Sequence, residues 1–93
     1  MDKFIDVCGI PYKYEEFDSS DRTDNSIGRS DPKMALIRIC KDCSEETKQS
    51  TIIHEWLHAI LDCHGLQNHA NDEILVSTLE TELYRNGFRI QFK

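Results

Sequence analysis

The sequence predicts an α+β fold in which a small N-terminal β-sheet packs against two helices. Two observations carry this prediction: apolar residues in the first half alternate or form short runs, whereas those after position 45 repeat at helical spacing. The chain has 93 residues, of which 39% are hydrophobic and 30% charged. This length and composition are typical of one domain with a single small core, so we expect one domain over residues 1–93.

The first half of the chain predicts strands. Ile10, Tyr12 and Tyr14 recur at every second position, beside the turn formers Gly9 and Pro11, which indicates a short strand or hairpin within residues 3–17. Residues 18–33 are polar and rich in turn formers, so they predict a loop. The run MALIRIC at 34–40 is short, apolar and rich in branched residues, which favours a second strand.

The second half predicts helices. Ser44 is placed to cap a first helix over Glu45–Cys63, and Gly65 is placed to end it in a left-handed conformation. One face of this helix carries a buried apolar stripe made of Ile53, Trp56, Leu57, Ile60 and Leu61.

A second helix follows a predicted loop over residues 66–70. Asn71 is its expected cap and Asn86-Gly87 its expected end. Its predicted buried face consists of Val76, Leu79 and Leu83. Beyond it, the alternation of Phe88, Ile90 and Phe92 predicts a terminal strand.

Charge and hydropathy exclude some classes of partner. The formal net charge of -6 argues against a nucleic-acid partner and against an anionic membrane surface. The N-terminus has no apolar run typical of a signal peptide, and no stretch approaches the roughly 20 apolar residues of a spanning helix. We therefore expect a cytoplasmic protein with no membrane partner, and its oligomeric state is not predicted.

The sequence His54-Glu55-Trp-Leu-His58 predicts a metal centre. Its two histidines are four positions apart on a helix, so their imidazoles lie on one face, one turn apart. Two imidazoles at this spacing can bind one Zn²⁺ ion. Glu55, beside the first histidine, is then the expected general base, which takes a proton from an activated water and passes it to the leaving amine.

A catalytic zinc ion needs a third protein ligand. Glu73, at the start of the second helix, would return to the first helix in a helical hairpin and complete a His2Glu site. Asp72 and Glu80 are neighbouring acidic candidates. His64 is the alternative third ligand, but in a continuous helix it lies about 15 Å from His54, too far to share a metal ion.

Two further residues are candidates for stabilising an oxyanion. His69 falls in the loop between the helices, where an exposed histidine without a role is the simpler interpretation. Tyr84 in the second helix is the other candidate. Neither has a motif that favours it.

Four cysteines remain to be interpreted. Without an export signal, reduced thiols or metal ligands are expected rather than disulfides. The pair Cys40 and Cys43 could form half of a structural zinc site, with Cys8 or Cys63 supplying the rest, or a redox pair. Two ordinary cysteines at a strand-to-helix junction are the simpler interpretation, and Cys63 is expected in the core.

Several segments together resemble a known family. They are Gly9-Ile-Pro-Tyr12, Ile27-Gly28, ALIRI, STIIHEWLHAIL and Asn71-Asp-Glu73-x-x-Val76-x-x-Leu79. This set is similar to the short phage- and prophage-encoded HExxH proteins, which are trimmed relatives of the ImmA/IrrE-type metallopeptidases. The likeness covers most of the chain, and its specific part is the HExxH core.

The resemblance implies a minimal zincin-like fold and a zinc metallopeptidase with a protein or peptide substrate. It implies His54 and His58 as zinc ligands, Glu55 as the base and Glu73 as the third ligand. It also implies that the strand at 36–39 lies beside the metal, where its free edge could bind an extended peptide by strand addition.

Two other functions stay open at this point. The spacing of His54, His58 and His64 also occurs in a family of ribosomal-RNA-processing endoribonucleases, which predicts a three-histidine zinc hydrolase acting on RNA. That family lacks the glutamate at position 55. A non-catalytic binding protein that keeps a metal-containing helix is the third possibility.

Overall fold

The computed structural model describes residues 2–21 and 26–93 and contains a four-stranded mixed sheet and three helices, which confirms the α+β prediction. The strands are β1 (Lys3–Val7), β2 (Ile10–Phe17), β3 (Gly28–Asp31) and β4 (Leu36–Cys40), with a 3-10 turn at Ser19–Asp21. The helices are α1 (Glu45–Cys63), α2 (Gln67–Ala70) and α3 (Glu73–Arg85). None of these helices is both long and apolar enough to cross a membrane.

Two local hairpins build the sheet, whose strand order is β1-β2-β4-β3. β1 and β2 are antiparallel and joined by Cys8 and Gly9, which have φ angles of 54° and 86°. Positive φ at both central residues is the geometry of the tight turn that matches the twist of paired strands. β3 and β4 form the second antiparallel pair, and β2 and β4 join the two hairpins through a parallel ladder.

Strand β3 lies inside the stretch 18–33, which was predicted as a loop, so that prediction is wrong at Gly28–Asp31. Residues 22–25 of the predicted loop lie outside the described residues. β3 carries no apolar alternation because its positions facing α1 are occupied by Gly28 and Ser30. A glycine and a serine bring the strand close to the helix without leaving the signal that identifies a strand in sequence.

Strand β4 begins at Leu36, two residues later than predicted. Before it, the Asp31 side chain accepts hydrogen bonds from the backbone amides of Lys33 and Met34, at 3.1 and 3.3 Å, and so forms a turn. Met34 is 70% exposed there, and Ala35 has a positive φ of 50°. Met34 and Ala35, the first two residues of the apolar run, therefore belong to this turn and not to β4.

The expected free edge at residues 36–39 is also wrong. β4 is paired with β2 on one side and with β3 on the other, so it is an interior strand. The edge of the described sheet on this side belongs to β3.

Helix α1 spans the predicted residues and has the predicted ends. The Ser44 hydroxyl accepts a hydrogen bond from the amide of Thr47 at 3.2 Å, as an N-cap does. At the other end, Gly65 has a φ of 75°, and the amide of Leu66 donates to the carbonyl of Leu61 at 2.8 Å. This six-to-one hydrogen bond is the usual partner of a left-handed glycine after a helix.

Helix α1 is buried on two sides. Towards the sheet, Ile52 and Ala59 pack in one core cluster with strand residues such as Ile37. Towards α3, Ile53 and Leu57 form a second core cluster with Val76 of α3. The partly buried residues that pack against this cluster are Trp56, Ile60, Leu61, Leu83, Tyr84, Phe88 and Ile90. The predicted stripe is therefore part of a broader apolar surface that serves two partners.

The region after α1 differs from prediction in three details. The predicted loop 66–70 contains the one-turn helix α2. Asp72 caps α3 in place of Asn71, because the Asp72 side chain accepts the amide of Leu75 at 3.1 Å. Leu79, predicted in the buried face, is 38% exposed. In contrast, Val76 is fully buried.

The predicted terminal strand is not formed. Lys93 exchanges two backbone hydrogen bonds with Phe4 of β1, at 3.1 and 2.8 Å, and Phe92 packs on the Tyr14 ring. Arg89 donates to the carbonyls of Tyr84 and Phe88. Ile90 packs against both core clusters, so the segment contributes to the core without forming a strand.

We predict that Gly28→Ala lowers the free energy of unfolding by about 1–3 kcal/mol through overpacking. A Cβ at position 28 would lie 2.6 Å from Cγ2 of Thr51, 3.1 Å from Cδ1 of Ile39 and 3.2 Å from Cγ of Glu55. The measurement is urea denaturation of the variant and the wild type.

The matched control for this substitution is Thr51→Ser. Serine removes the closest methyl group but keeps the hydroxyl that donates to the carbonyl of Thr47 at 2.7 Å. We expect the Gly28→Ala/Thr51→Ser double variant to recover part of the loss. Equal stability of Gly28→Ala and wild type would refute the close approach of β3 to α1.

Candidate metal centre

His54 and His58 lie on the face of α1 that meets the start of α3. They are one helical turn apart, and their ring centroids are separated by 4.8 Å. Both imidazoles are mostly buried, with side-chain exposures of 19% and 20%. The hairpin formed by α1, α2 and α3 brings Glu73, the first residue of α3, onto the same spot.

Three donor groups converge there. The Nε2 atoms of His54 and His58 are 3.2 Å apart. One carboxylate oxygen of Glu73 is 2.9 Å from Nε2 of His58, and the other is 3.3 Å from Nε2 of His54. His54, His58 and Glu73 are the one group of three such residues, in the described part of the chain, whose donor atoms are close enough to share a metal ion.

The spacing of these atoms fits a small tetrahedral ion. Ligand atoms about 2.0–2.1 Å from a tetrahedral metal are about 3.3 Å from one another, which follows from the tetrahedral angle. The two imidazole nitrogens are 3.2 Å apart, close to this value, and each is 2.9–3.3 Å from a different oxygen of the Glu73 carboxylate. Two imidazole nitrogens and one carboxylate oxygen are donors that suit zinc. The group can therefore hold a metal ion, as the sequence predicted.

Glu80 holds His54 from the other side. Its carboxylate lies 2.7 Å from Nδ1 of His54, and its second oxygen accepts a hydrogen bond from the Ser50 hydroxyl. A carboxylate beside Nδ1 favours the tautomer with the proton on that nitrogen, which leaves the lone pair of Nε2 available for a metal ion. Glu80, considered in sequence as a ligand, instead contacts the other nitrogen of the candidate ligand His54.

Ser50 and Glu80 could have been found from spacing. Glu73, Val76, Glu80 and Leu83 recur at three and four residues, which marks the face of α3 that meets α1. Ser50 is one turn before His54 on the same face of α1. Leu79 was assigned to this face because the prediction used apolar residues alone and left out Glu73 and Glu80.

The Glu55 side chain lies next to Gly28 and Ser30 of β3. It is only 8% exposed, and burial raises its pKa, with Glu73 adding to the effect, while His54, His58 and the Ser30 hydroxyl oppose it. A buried carboxylate with a raised pKa is suited to accept and release a proton near neutral pH.

A cavity of about 300 Å³ adjoins Glu55. It lies between β3 and the helices. Its lining residues are Ser26, Ile27, Gly28, Thr51, His54, Glu55 and Glu80. The cavity is therefore lined by a candidate metal ligand, by the expected base and by the edge strand.

The other predicted ligands are not brought to this group. His64 is the residue that follows the last turn of α1, ten positions along an unbroken helix from His54. The helical rise places it about 15 Å away. Asp72 is engaged as the N-cap of α3. Of the candidates for an oxyanion, His69 is exposed in α2, and neither it nor Tyr84 lines the cavity.

The cysteines do not form a metal site among the described residues. Cys40 is buried at the end of β4, whereas Cys8 and Cys63 are exposed, so the prediction of a core position for Cys63 is wrong. Cys63 is the last residue of α1, directly before the C-cap residue His64.

Comparisons of the chain with protein-family models, with curated proteins and with solved structures gave no match.

We predict that Glu73 is required for metal binding and that His64 is not. The wild type should retain about one zinc ion per chain after dialysis, and Glu73→Ala should lose it because three protein ligands are needed. Atomic absorption measures the metal content. Retention of zinc by Glu73→Ala together with its loss from His64→Ala would exclude the arrangement described above. Glu82→Ala is the acidic control on the same helix.

We predict that Glu80→Gln weakens zinc binding about 10–100-fold, the usual cost of losing the group that orients a ligand. Competition with a chromophoric chelator measures the affinity. Glu82→Gln makes the same chemical change at an exposed position of α3 and should bind like the wild type. An unchanged affinity in Glu80→Gln would show that the contact with His54 has no orienting role.

Proposed function

We propose that this protein is a zinc-dependent hydrolase that cleaves peptide bonds. One observation carries the proposal: two imidazole nitrogens and a carboxylate converge beside a buried glutamate that follows the first histidine in sequence. The arrangement agrees with the zincin-like fold and the peptidase activity that the resemblance to the ImmA/IrrE-type metallopeptidases implies.

The set of donors favours a catalytic rather than a structural ion. Three protein ligands leave one position of a tetrahedral ion open, whereas structural zinc sites usually close all four. The Glu73 side chain is 64% exposed, so the group is open to solvent on that side. A zinc ion at this position acidifies water and polarises a carbonyl group.

Glu55 is the proposed general base and acid. Its carboxylate takes a proton from the attacking water and then delivers it to the nitrogen of the leaving amine. Burial raises the pKa of Glu55, which makes its carboxylate a stronger base for the first of these transfers. The Ser30 hydroxyl donates a hydrogen bond to the same carboxylate and so limits its rotation.

Strand β3 is the proposed peptide-binding edge. It is the outer strand of the described sheet on the side of the metal group, and Ser30 and Gly28 tie it to Glu55 and to the cavity. An extended peptide added to this edge would have its carbonyls near Glu55. The peptide-binding edge that the resemblance implied at residues 36–39 is therefore proposed at β3 instead.

The two other functions have less support. Hydrolysis of RNA by a three-histidine site needs His64 beside His54, and the continuous α1 keeps them apart. The net charge of -6 also disfavours a polyanionic substrate. A non-catalytic role would not explain why the Glu55 side chain is buried beside the cavity.

We predict that Glu55→Gln abolishes hydrolysis but keeps the metal ion, because amide and carboxylate have the same shape and only the carboxylate transfers protons. Loss of a general base typically costs about 10²–10⁴-fold in rate. The assay incubates zinc-loaded wild type and variant with a proteome-derived peptide library and identifies new termini by mass spectrometry.

Cleavage by wild type, with none by Glu55→Gln at equal zinc content, supports the proposal. A random-sequence single-stranded RNA is the parallel probe. Cleavage of RNA but not of peptides, or equal activity of the two proteins, would contradict a peptidase in which Glu55 is the base.

A further inference from the structure

The residues of β3 alternate between the two faces of the sheet. Gly28 and Ser30 face α1, where both lie against the Glu55 side chain. Arg29, between them, therefore faces the opposite side of the sheet, and it is exposed. The register of the β3–β4 ladder places Arg29 directly across from Arg38, which is also exposed.

The two arginines belong to a cross-strand row that is rich in positive charge. Like charges directly opposite each other on neighbouring strands destabilise a sheet. The carboxylate of Glu15 lies 3.6 Å from Nε of Arg38, on the side away from β3, and its other oxygen lies 3.5 Å from Nζ of Lys13. The row Glu15, Arg38 and Arg29 thus carries two positive charges and one negative charge, with the positive end at the outer strand.

The backbone of β3 determines how a peptide would pair with its outer edge. The amide of Cys40 donates to the carbonyl of Ile27 at 2.8 Å, towards β4. The direction of these groups alternates along an antiparallel strand, so those of Arg29 also point to β4, and those of Gly28 and Ser30 point outwards. An added antiparallel peptide would bond to Gly28 and Ser30. Its residue opposite Arg29 would then form a non-hydrogen-bonded pair, the kind in which side chains lie closest.

We propose that Arg29 and Arg38 make the β3 edge selective for peptides with an aspartate or glutamate beside the cleaved bond. The inference rests on the proposed function, which places an extended peptide substrate at β3. Peptide residues opposite Gly28 and Ser30 would face α1 and the cavity, whereas the residue between them would face Arg29. The acidic residue is therefore the neighbour of the residue that faces Glu55.

Charge complementarity supports an acidic partner at this position. A carboxylate opposite Arg29 can accept charge-assisted hydrogen bonds from its guanidinium group, and it lies only one further strand from Arg38. Its negative charge would also reduce the repulsion between the two arginines. The net charge of -6 would by itself favour basic peptides, so a preference for an acidic one has to come from this local pair.

A binding measurement tests the proposal apart from catalysis. The probes are two fluorescent octapeptides of alternating valine and serine, one with a central glutamate and one with a lysine there. The zinc-loaded Glu55→Gln full chain is titrated against each, and fluorescence anisotropy measures the affinity. We expect the glutamate peptide to bind roughly 5–30-fold more tightly, because a pair of opposite charges replaces a pair of like charges. The preference should weaken as the salt concentration is raised.

Charge reversal at Arg29 is the decisive variant. Arg29→Glu in the same background should reverse the preference. Lys33→Glu, which makes the same change at an exposed position of the turn after β3, should keep it. Equal affinity for the two peptides, tighter binding of the lysine peptide or binding of neither would overturn the proposal. A preference that survives in Arg29→Glu, or loss of both peptides by that variant, would do the same.

The peptide-library assay separates this inference from the proposed function. Cleavage that depends on Glu55, with acidic residues enriched beside the cleaved bonds, supports both. Cleavage without this enrichment would overturn the inference and leave the peptidase in place. Absence of cleavage, together with an Arg29-dependent preference for the glutamate peptide, would contradict the peptidase and leave an acidic-peptide site at β3.

Discussion

Helix α1 lies between the sheet and α3, and it supplies buried side chains to both neighbours. This double burial is possible only if the polar groups at the edge of the interface satisfy one another, since unpaired charges between packed elements are costly. The structure meets the requirement with a continuous chain of contacts across the two helices. Ser50 bonds Glu80, Glu80 bonds His54, and Glu73 faces both histidines. The candidate metal centre is thus part of the packing between α1 and α3.

The sequence predicted the parts of the fold in which local signals agree. For α1, the Ser44 cap, the apolar spacing and Gly65 all indicate the same limits, and the helix has those limits. Strand β3 was missed because its two positions facing α1 carry glycine and serine, which leave no alternation to detect. The terminal strand was overpredicted, since alternation cannot tell a segment that packs on a helix from one that pairs with a strand.

The candidate site was predictable to a similar degree. The positions of His54, Glu55 and His58 follow from the helix alone, and Glu73 follows from a helical hairpin. The spacing along α3 places Glu80 on the face that meets α1, but the structure was needed to show that it contacts Nδ1 of His54. The contact of Ser30 with Glu55 could not be predicted for another reason. It depends on β3, and this strand has no apolar alternation in the sequence.

The two sides of the candidate site come from separate hairpins. The residues that would hold a metal ion belong to the helical pair α1 and α3, whereas β3, in the hairpin with β4, forms the facing wall of the cavity. The two units share the Glu55 side chain, which lies close to Gly28 and Ser30 of β3, and effects of changes at positions with shared partners do not simply add. A change of the wall at Gly28 or Ser30, by natural divergence or by directed evolution, therefore also alters the packing of Glu55. Arg29, the exposed position between them, is where the wall can change with least effect on α1.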